Sequence, residues 1–305
     1  MNYHEFVRII EKELNHSLEG GKKASLYTAI KNNSQKRIGI IIERPDVNIA
    51  PTIYLEDYFR KYQDGEAISE IILDILRVYD NVKCEKSWDP ELVTSYEKLQ
   101  SKIVFRIINT KQNEALLEKV PHVDFMDLSM VFYALFEASK DGSATMLIYY
   151  DNLEQWGISK FQLVMTAIQN SRMLLPPQLI TMNEVIAGIV GSEYGQKENL
   201  LERKRGEAQD TMYVLSNPIK SFGAACIAYP GMLKALGELF DADYYILPSS
   251  IHEVILVPDR CGLTFSQMTE MVVDVNRTQV APEEILSDHA YFYDRKNEKL
   301  SMTES

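Results

Sequence analysis

Ten short apolar runs of strand type set the strongest limit on how this chain can fold. They lie at 25–30, 38–42, 103–108, 128–136, 145–150, 212–215, 222–229, 244–247, 253–257 and 290–293. Several are rich in β-branched residues or Tyr and are bounded by Gly, Pro, Asn or Asp. Many neighbours are separated by only a few residues. A parallel pair needs a crossover of a dozen or more residues, so antiparallel pairing is expected. The run at 128–136 is apolar all round and reads equally well as a helix. The class that follows is α+β: antiparallel sheets with flanking helices, in two packed units.

Helices are legible between these runs. Tyr3, Phe6, Ile10, Leu14 and Leu18 share one face of an N-terminal helix, which Gly20-Gly21 stops. Ile68, Ile71, Ile72, Ile75, Leu76 and Tyr79 define a second helix after the Asp64-Gly65 turn. Ser159 reads as the N-cap of a third, with Phe161, Val164, Met165 and Ile168 expected inside. Thr181 and Glu184 form a capping box before Met182, Val185, Ile186 and Ile189. A fifth helix covers 230–240, with Pro230 near its start. Thr264 and Gln267 form a second capping box before Phe265, Met268, Met271, Val272 and Val275.

The chain has 305 residues, and length alone suggests about two domains. The expected division is an N-terminal α+β unit at 1–197, a charged linker or helix extension at 198–210, and a C-terminal α+β unit at 211–305. Seven of the 13 residues from 198 to 210 are charged. The whole chain carries a net charge of −12. Half of that falls within 211–295, which holds 11 acids and 5 bases. A nucleic-acid backbone binder needs the opposite sign, so no nucleic-acid partner is expected, and a charged partner of the later unit should be basic. The cluster Arg203, Lys204 and Arg205 is ringed by acids.

The three cysteines, Cys84, Cys226 and Cys261, are far apart and form no C-x-x-C pair. Neither a disulfide framework nor a Cys-based zinc knuckle is expected. The N-terminus lacks a signal-peptide core and no run is long enough for a membrane helix. The expectation is a cytoplasmic chain with no membrane association.

The most distinctive text lies late in the chain. It reads YVLSNPIKSFGAACIAYPGML from Tyr213, YYILPSSIHEVILVP from Tyr244 and VNRTQVAPEEILSDHAYFYDR from Val275. Earlier blocks are PTIYLEDYF from Pro51, YQDG from Tyr62 and the Trp156-Gly157 pair. In order and spacing these resemble an uncharacterised bacterial family, domain of unknown function 5688, over nearly the full length. Ser216 stands where Thr is expected. The resemblance implies one full-length bacterial cytoplasmic protein and carries over no activity, cofactor or catalytic residue.

Candidate chemistry gathers in two segments of the later unit. Ser249, Ser250 and His252, with Asp288 and His289, hold the ingredients of a nucleophilic site: a hydroxyl, a base and an orienting carboxylate. There is no G-x-S-x-G turn and no Gly-rich oxyanion loop, and a Pro-Ser-Ser turn between strands accounts for the same residues. His252, Glu253, Asp288 and His289 also offer metal-ligand atoms. His252 and Glu253 would point to opposite faces if a strand included both, and the H-E-x-x-H spacing is absent, so no metal and no cofactor is expected. Glu253, Asn276 and Tyr291 are candidate binding residues. Glu283 and Glu284, after Pro282, read as a helix first turn. The Tyr229-Pro230-Gly231 corner matches no phosphate-loop motif. The preferred function is a non-catalytic binding or regulatory protein with a protein or small-molecule partner. The alternative is a hydrolase or metal-dependent enzyme using the two segments above.

Overall fold

A computed structural model describes residues 1–83, 87, 89, 91–139, 142–190, 199–202, 210–260 and 262–302. The chain divides into two compact units, Met1–Val93 and Thr94–Ser305. Cys84, Cys261 and the Arg203–Arg205 cluster lie outside the described residues, as does most of 198–210.

The first unit is a small α+β layer. Strands β1 (Lys23–Ile30), β2 (Lys36–Glu43) and β3 (Thr52–Tyr54) form one antiparallel sheet in that order. Helices α1 (Tyr3–Ser17), α2 (Glu56–Gln63) and α3 (Ile68–Val82) flank it. The apolar stripes expected from 3.6-residue spacing are the ones buried: Phe6, Ile10 and Leu14 of α1 and Ile71, Ile75 and Tyr79 of α3. They close over Ala24, Ile40, Ile42 and Ile53 on the sheet. Asn2 caps α1, its side chain accepting from the Glu5 N–H at 2.9 Å while the Glu5 carboxylate accepts from the Asn2 N–H at 3.0 Å.

The second unit contains two antiparallel sheets. Strands β4 (Ile103–Asn109), β5 (His122–Phe125), β6 (Leu128–Ser139) and β7 (Gly142–Leu147) form the first. The long strand β6 pairs with all three others. The ambiguous run at 128–136 is therefore strand. The second sheet has strands β8 (Gln178–Thr181), β9 (Tyr213–Ser216), β10 (Tyr244–Leu247), β11 (Val254–Pro258), β12 (Tyr291–Asp294) and β13 (Lys299–Ser301). Its order is β13-β12-β10-β11-β9-β8. Among the described residues all three sheets are antiparallel, as the short spacings require, and the fold is α+β.

The expected boundary at 198–210 falls inside this unit. β8 and β9 lie on either side of it in sequence yet pair directly, from Gln178↔Ser216 to Thr181↔Tyr213. One apolar core joins Phe105, Ile107, Leu128 and Phe132 of the first sheet to Tyr213, Leu215, Tyr244, Ile246, Val254 and Leu256 of the second. Charge composition suggested a linker, but shared strand pairing and a shared core decide what folds together.

Helices α4 (Tyr150–Trp156), α5 (Lys160–Leu174), α6 (Met182–Ile189), α7 (Met232–Phe240) and α8 (Phe265–Thr278) complete the second unit's longer helices. Ser159, Thr181 and Thr264 cap their helices as expected. Two expected helix faces are different. On α5, Phe161 is 74% exposed and Met165 51% exposed, while Leu163, Ala167, Asn170 and Ser171 are buried. The polar pair goes inward because β4 needs it. Asn170 Nδ2 donates to the Ile103 carbonyl at 3.0 Å, and Ser171 Oγ accepts from the Phe105 N–H at 3.0 Å. On α6, Ile186 is 52% exposed and Met182 and Val185 are half-buried.

The expected strand at 222–229 is a 3₁₀ helix, Gly223–Ala228. Its small residues let it pack tightly against β9. A Cβ on Gly223 would lie 2.2 Å from Ser216 Oγ and 2.5 Å from the His252 carbonyl oxygen. Among the described residues no helix is long and apolar enough to cross a membrane.

Candidate functional site

Strand alternation splits the β8-β9-β11 region into two faces. Leu179, Tyr213, Leu215, Val254 and Leu256 enter the main core. Gln178, Ile180, Val214, Ser216 and Ile255 point the other way, as period-2 geometry demands. Register aligns Ile180 with Val214 and Val214 with Ile255, giving a continuous apolar floor. Helix α8 covers the neighbouring β10 and β12 through Met268 and Val272 against Tyr245, Leu247 and Phe292. Beside it lies an open cleft with about 300 Å³ of accessible space, a size that suits a small organic ligand.

The cleft's rim is built from loops. Ser249, Ser250, His252 and Glu253 line it, together with Asn217, Lys220, Gln279 and Glu284. β11 begins at Val254, so His252 and Glu253 are not on the strand and both reach the same cleft. The expected helical turn at Glu283-Glu284 is instead a turn leading into a short backbone pairing. Ile251 N–H donates to the Glu284 carbonyl at 2.9 Å, and Leu286 N–H to the Ser249 carbonyl at 3.2 Å. This pairing delivers the Glu284 carboxylate to His252, with Oε1 at 3.4 Å from Nε2.

Each nitrogen of the His252 imidazole has a neighbour. Its Nδ1 accepts from the Phe222 N–H at 3.3 Å. A neutral ring with Nδ1 accepting carries its proton on Nε2, the atom that faces Glu284. The backbone around it is equally engaged: His252 N–H donates to Ser250 Oγ at 3.0 Å, and Ser216 Oγ donates to the His252 carbonyl at 2.7 Å. Among the described residues no hydrogen bond joins either serine hydroxyl to the ring. A serine nucleophile needs one imidazole nitrogen free to take its proton.

The other candidates are placed elsewhere. Asp288 and His289 are exposed and do not line the cleft. Asp288 accepts from Asn276 Nδ2 at 2.8 Å, and the same amide donates to the Ser287 carbonyl at 2.8 Å. Asn276 is thus a buried tie between α8 and the 287–288 segment. Tyr291 is fully buried and its hydroxyl donates to Asp127, which also accepts from Ser287 Oγ at 2.7 Å. Burial first, and then the Asp127 carboxylate, pushes the Tyr291 phenol well above its ordinary value. Among the described residues no three His, Cys, Asp or Glu side chains gather as a metal cluster.

Sequence reasoning brought Ser249, Ser250, His252 and Glu253 together. It missed Glu284, Ser216, Asn217 and Lys220, which reach the cleft only through strand order and the 217–223 loop. In that loop Lys220 and Phe222 both have positive φ, and the Asn217 side chain bonds the Ser221 backbone at N–H and carbonyl.

The model of the Family of unknown function (DUF5688) matches residues 3–295. The chain belongs to this family. The DUF5688 match contains every residue of the cleft as well as the Asp127–Tyr291 pair. No curated protein and no solved structure matches the chain.

Proposed function

We propose that this protein is a non-catalytic binding protein whose ligand occupies the cleft around Ser249, Ser250, His252 and Glu253. The observation that carries this reading is that His252 Nδ1 accepts from the Phe222 N–H while Nε2 lies 3.4 Å from the Glu284 carboxylate. An imidazole so held is a positioned hydrogen-bonding group and not a base waiting for a hydroxyl. The lining supports a small amphipathic ligand. Ile180, Val214, Ile255, Val275 and Val280 offer apolar area, and Gln178, Ser216, Asn217, Ser249, Ser250 and Gln279 offer neutral donors and acceptors.

The test has two arms. Small molecules that copurify with the protein are identified by mass spectrometry and added back in a thermal-shift assay. A ligand of this cleft raises Tm in the wild type and loses about tenfold or more in affinity in Ile255→Asp or Ser216→Leu, which fill or charge the floor. In the second arm the protein is treated with a fluorophosphonate. Covalent labelling of Ser249 or Ser250 would overturn the non-catalytic reading and favour a hydrolase.

A further inference from the structure

The charges that line the cleft are unequally solvated. Lys220 reaches it from the 217–223 loop and is exposed, so water satisfies its ammonium. Glu253 reaches it from the loop before β11 and is half-buried. Among the described residues no hydrogen bond and no ion pair engages the Glu253 carboxylate. Glu284, the second acid, holds Oε1 3.4 Å from His252 Nε2 and has 41% of its side chain exposed. A half-buried carboxylate loses part of its hydration and recovers it only from an opposite charge or from hydrogen-bond donors. The charge left short of partners in the cleft is therefore a negative one.

Two hydroxyls with spare capacity stand three and four residues before Glu253. Ser249 is 7% exposed, Ser250 is 8% exposed, and both line the cleft. The Ser249 hydroxyl has no hydrogen-bond partner among the described residues. Ser250 Oγ accepts from the His252 N–H at 3.0 Å and keeps a second lone pair. The backbone that carries them is fixed by its pairing to the 284–286 segment, through Ile251 N–H to the Glu284 carbonyl and Leu286 N–H to the Ser249 carbonyl. The polar end of the cleft thus offers a carboxylate and two hydroxyl oxygens, all able to accept, beside the apolar floor of Ile180, Val214 and Ile255.

We propose that the cleft takes a primary amine with an apolar substituent, its ammonium on the Glu253 carboxylate and the Ser249 and Ser250 oxygens, its apolar part on Ile180, Val214 and Ile255. The inference rests on the reading of this cleft as a binding site and adds the charge of its ligand. An ammonium brings three N–H donors and a positive charge to acceptors that lack both. A carboxylate in the same place would face two acids, and Lys220, already solvated, would gain little by pairing with it. A quaternary ammonium has no N–H for the hydroxyls. The 11 acids against 5 bases within 211–295 also favour the approach of a cation.

The test is calorimetric titration of the full-length protein with three ligands of one shape: phenethylamine, 2-phenylethanol and 3-phenylpropanoate. The expected result is saturable one-to-one binding of the amine, with the alcohol and the acid weaker by about tenfold or more. Glu253→Gln should weaken the amine by about tenfold and leave the alcohol unchanged. That carboxylate holds no other described residue in place, so the variant should keep the wild-type Tm. Ser249→Ala should weaken the amine by about threefold or more, the loss of one acceptor. In the wild type, the ¹³Cδ resonance of Glu253 should move on titration with the amine. Binding of the alcohol or the acid as tight as that of the amine, or amine binding that survives Glu253→Gln and leaves the Glu253 resonance in place, would overturn the amine assignment alone. Failure of all three ligands to bind would overturn the binding reading of the cleft as well.

Discussion

Phe222 donates its backbone N–H to Nδ1 of His252 at 3.3 Å, and the two rings lie 5.6 Å apart between centroids. The Arg106 guanidinium carbon lies over the same Phe222 ring, 4.4 Å from its centroid. One residue with a positive φ of 54° thus touches both His252 and Arg106. Phe222→Ala should cost about 1–3 kcal/mol through lost ring packing, by analogy with large-to-small substitutions at partly buried sites. It should also shift the His252 ring ¹⁵N resonances, because the backbone donor moves when its anchor is gone. Urea unfolding and ¹⁵N NMR of the imidazoles check the two effects separately.

Gly223 is the tightest point of that loop. An added Cβ meets Ser216 Oγ, the His252 carbonyl and the Asn217 N at 2.2, 2.5 and 2.8 Å, two of them backbone atoms that cannot swing aside. Gly223→Ala is therefore expected to destabilise by about 1–3 kcal/mol, the usual penalty of overpacking. It should reduce the urea midpoint with little change in slope.

Helix α5 offers a direct comparison between an apparent and a real inner face. Asn170→Ala leaves the Ile103 carbonyl, and that of Gln100 at 2.6 Å, without the amide donor they share. The expected loss is about 1–3 kcal/mol, the cost of a buried polar group left unsatisfied. Phe161→Ala, although a larger truncation, should stay within about 0.5 kcal/mol because the ring is exposed. Chemical denaturation of both variants measures the contrast.

Alkaline pH should destabilise the fold through its buried tyrosines. Burial raises Tyr229, Tyr244 and Tyr291 above their ordinary value. In the unfolded chain these phenols lose protons near pH 10, while in the folded chain they keep them. The folded state then binds more protons than the unfolded state, so stability falls as pH rises above about 10 and is fully present below it. For Tyr291→Phe the slope of the urea midpoint against pH should be shallower in that window. The variant should also lose stability at neutral pH, because Asp127 loses one of its two hydroxyl donors.

Much of the second unit was legible residue by residue. The runs at 103–108, 212–215, 244–247, 253–257 and 290–293 form strands to within one residue at each end, and the Thr181 and Thr264 capping boxes both form. The run 222–229 looked like strand because Phe, Cys, Ile and Tyr suit one. Its Gly-Ala-Ala start instead allows a 3₁₀ helix to sit against β9 at backbone distance. In the candidate site, Ser249 to Glu253 could be read directly, because a Pro-Ser-Ser-Ile-His-Glu string between two strands is locally distinctive. Asp288 and His289 lie exposed and apart from the cleft, while Glu284, four residues before Asp288, faces the imidazole.

The amino-acid order alone determined where most of the longer helices begin, which of the unambiguous runs outside 222–229 form strands, and that the strands pair antiparallel. Those features depend on hydrogen bonds and steric preferences within a few residues, and on loops too short for any other connection. Tertiary structure decided which face of α5 is inside, which acid meets His252 and that Arg106 stacks on Tyr133 and Phe222. Asn170 turns inward to meet a carbonyl 67 residues earlier in the chain, and Glu284 meets an imidazole delivered by another loop. Such partners are chosen by strand order and packing, and the burial of a polar group is favourable only once its partner has been brought to it.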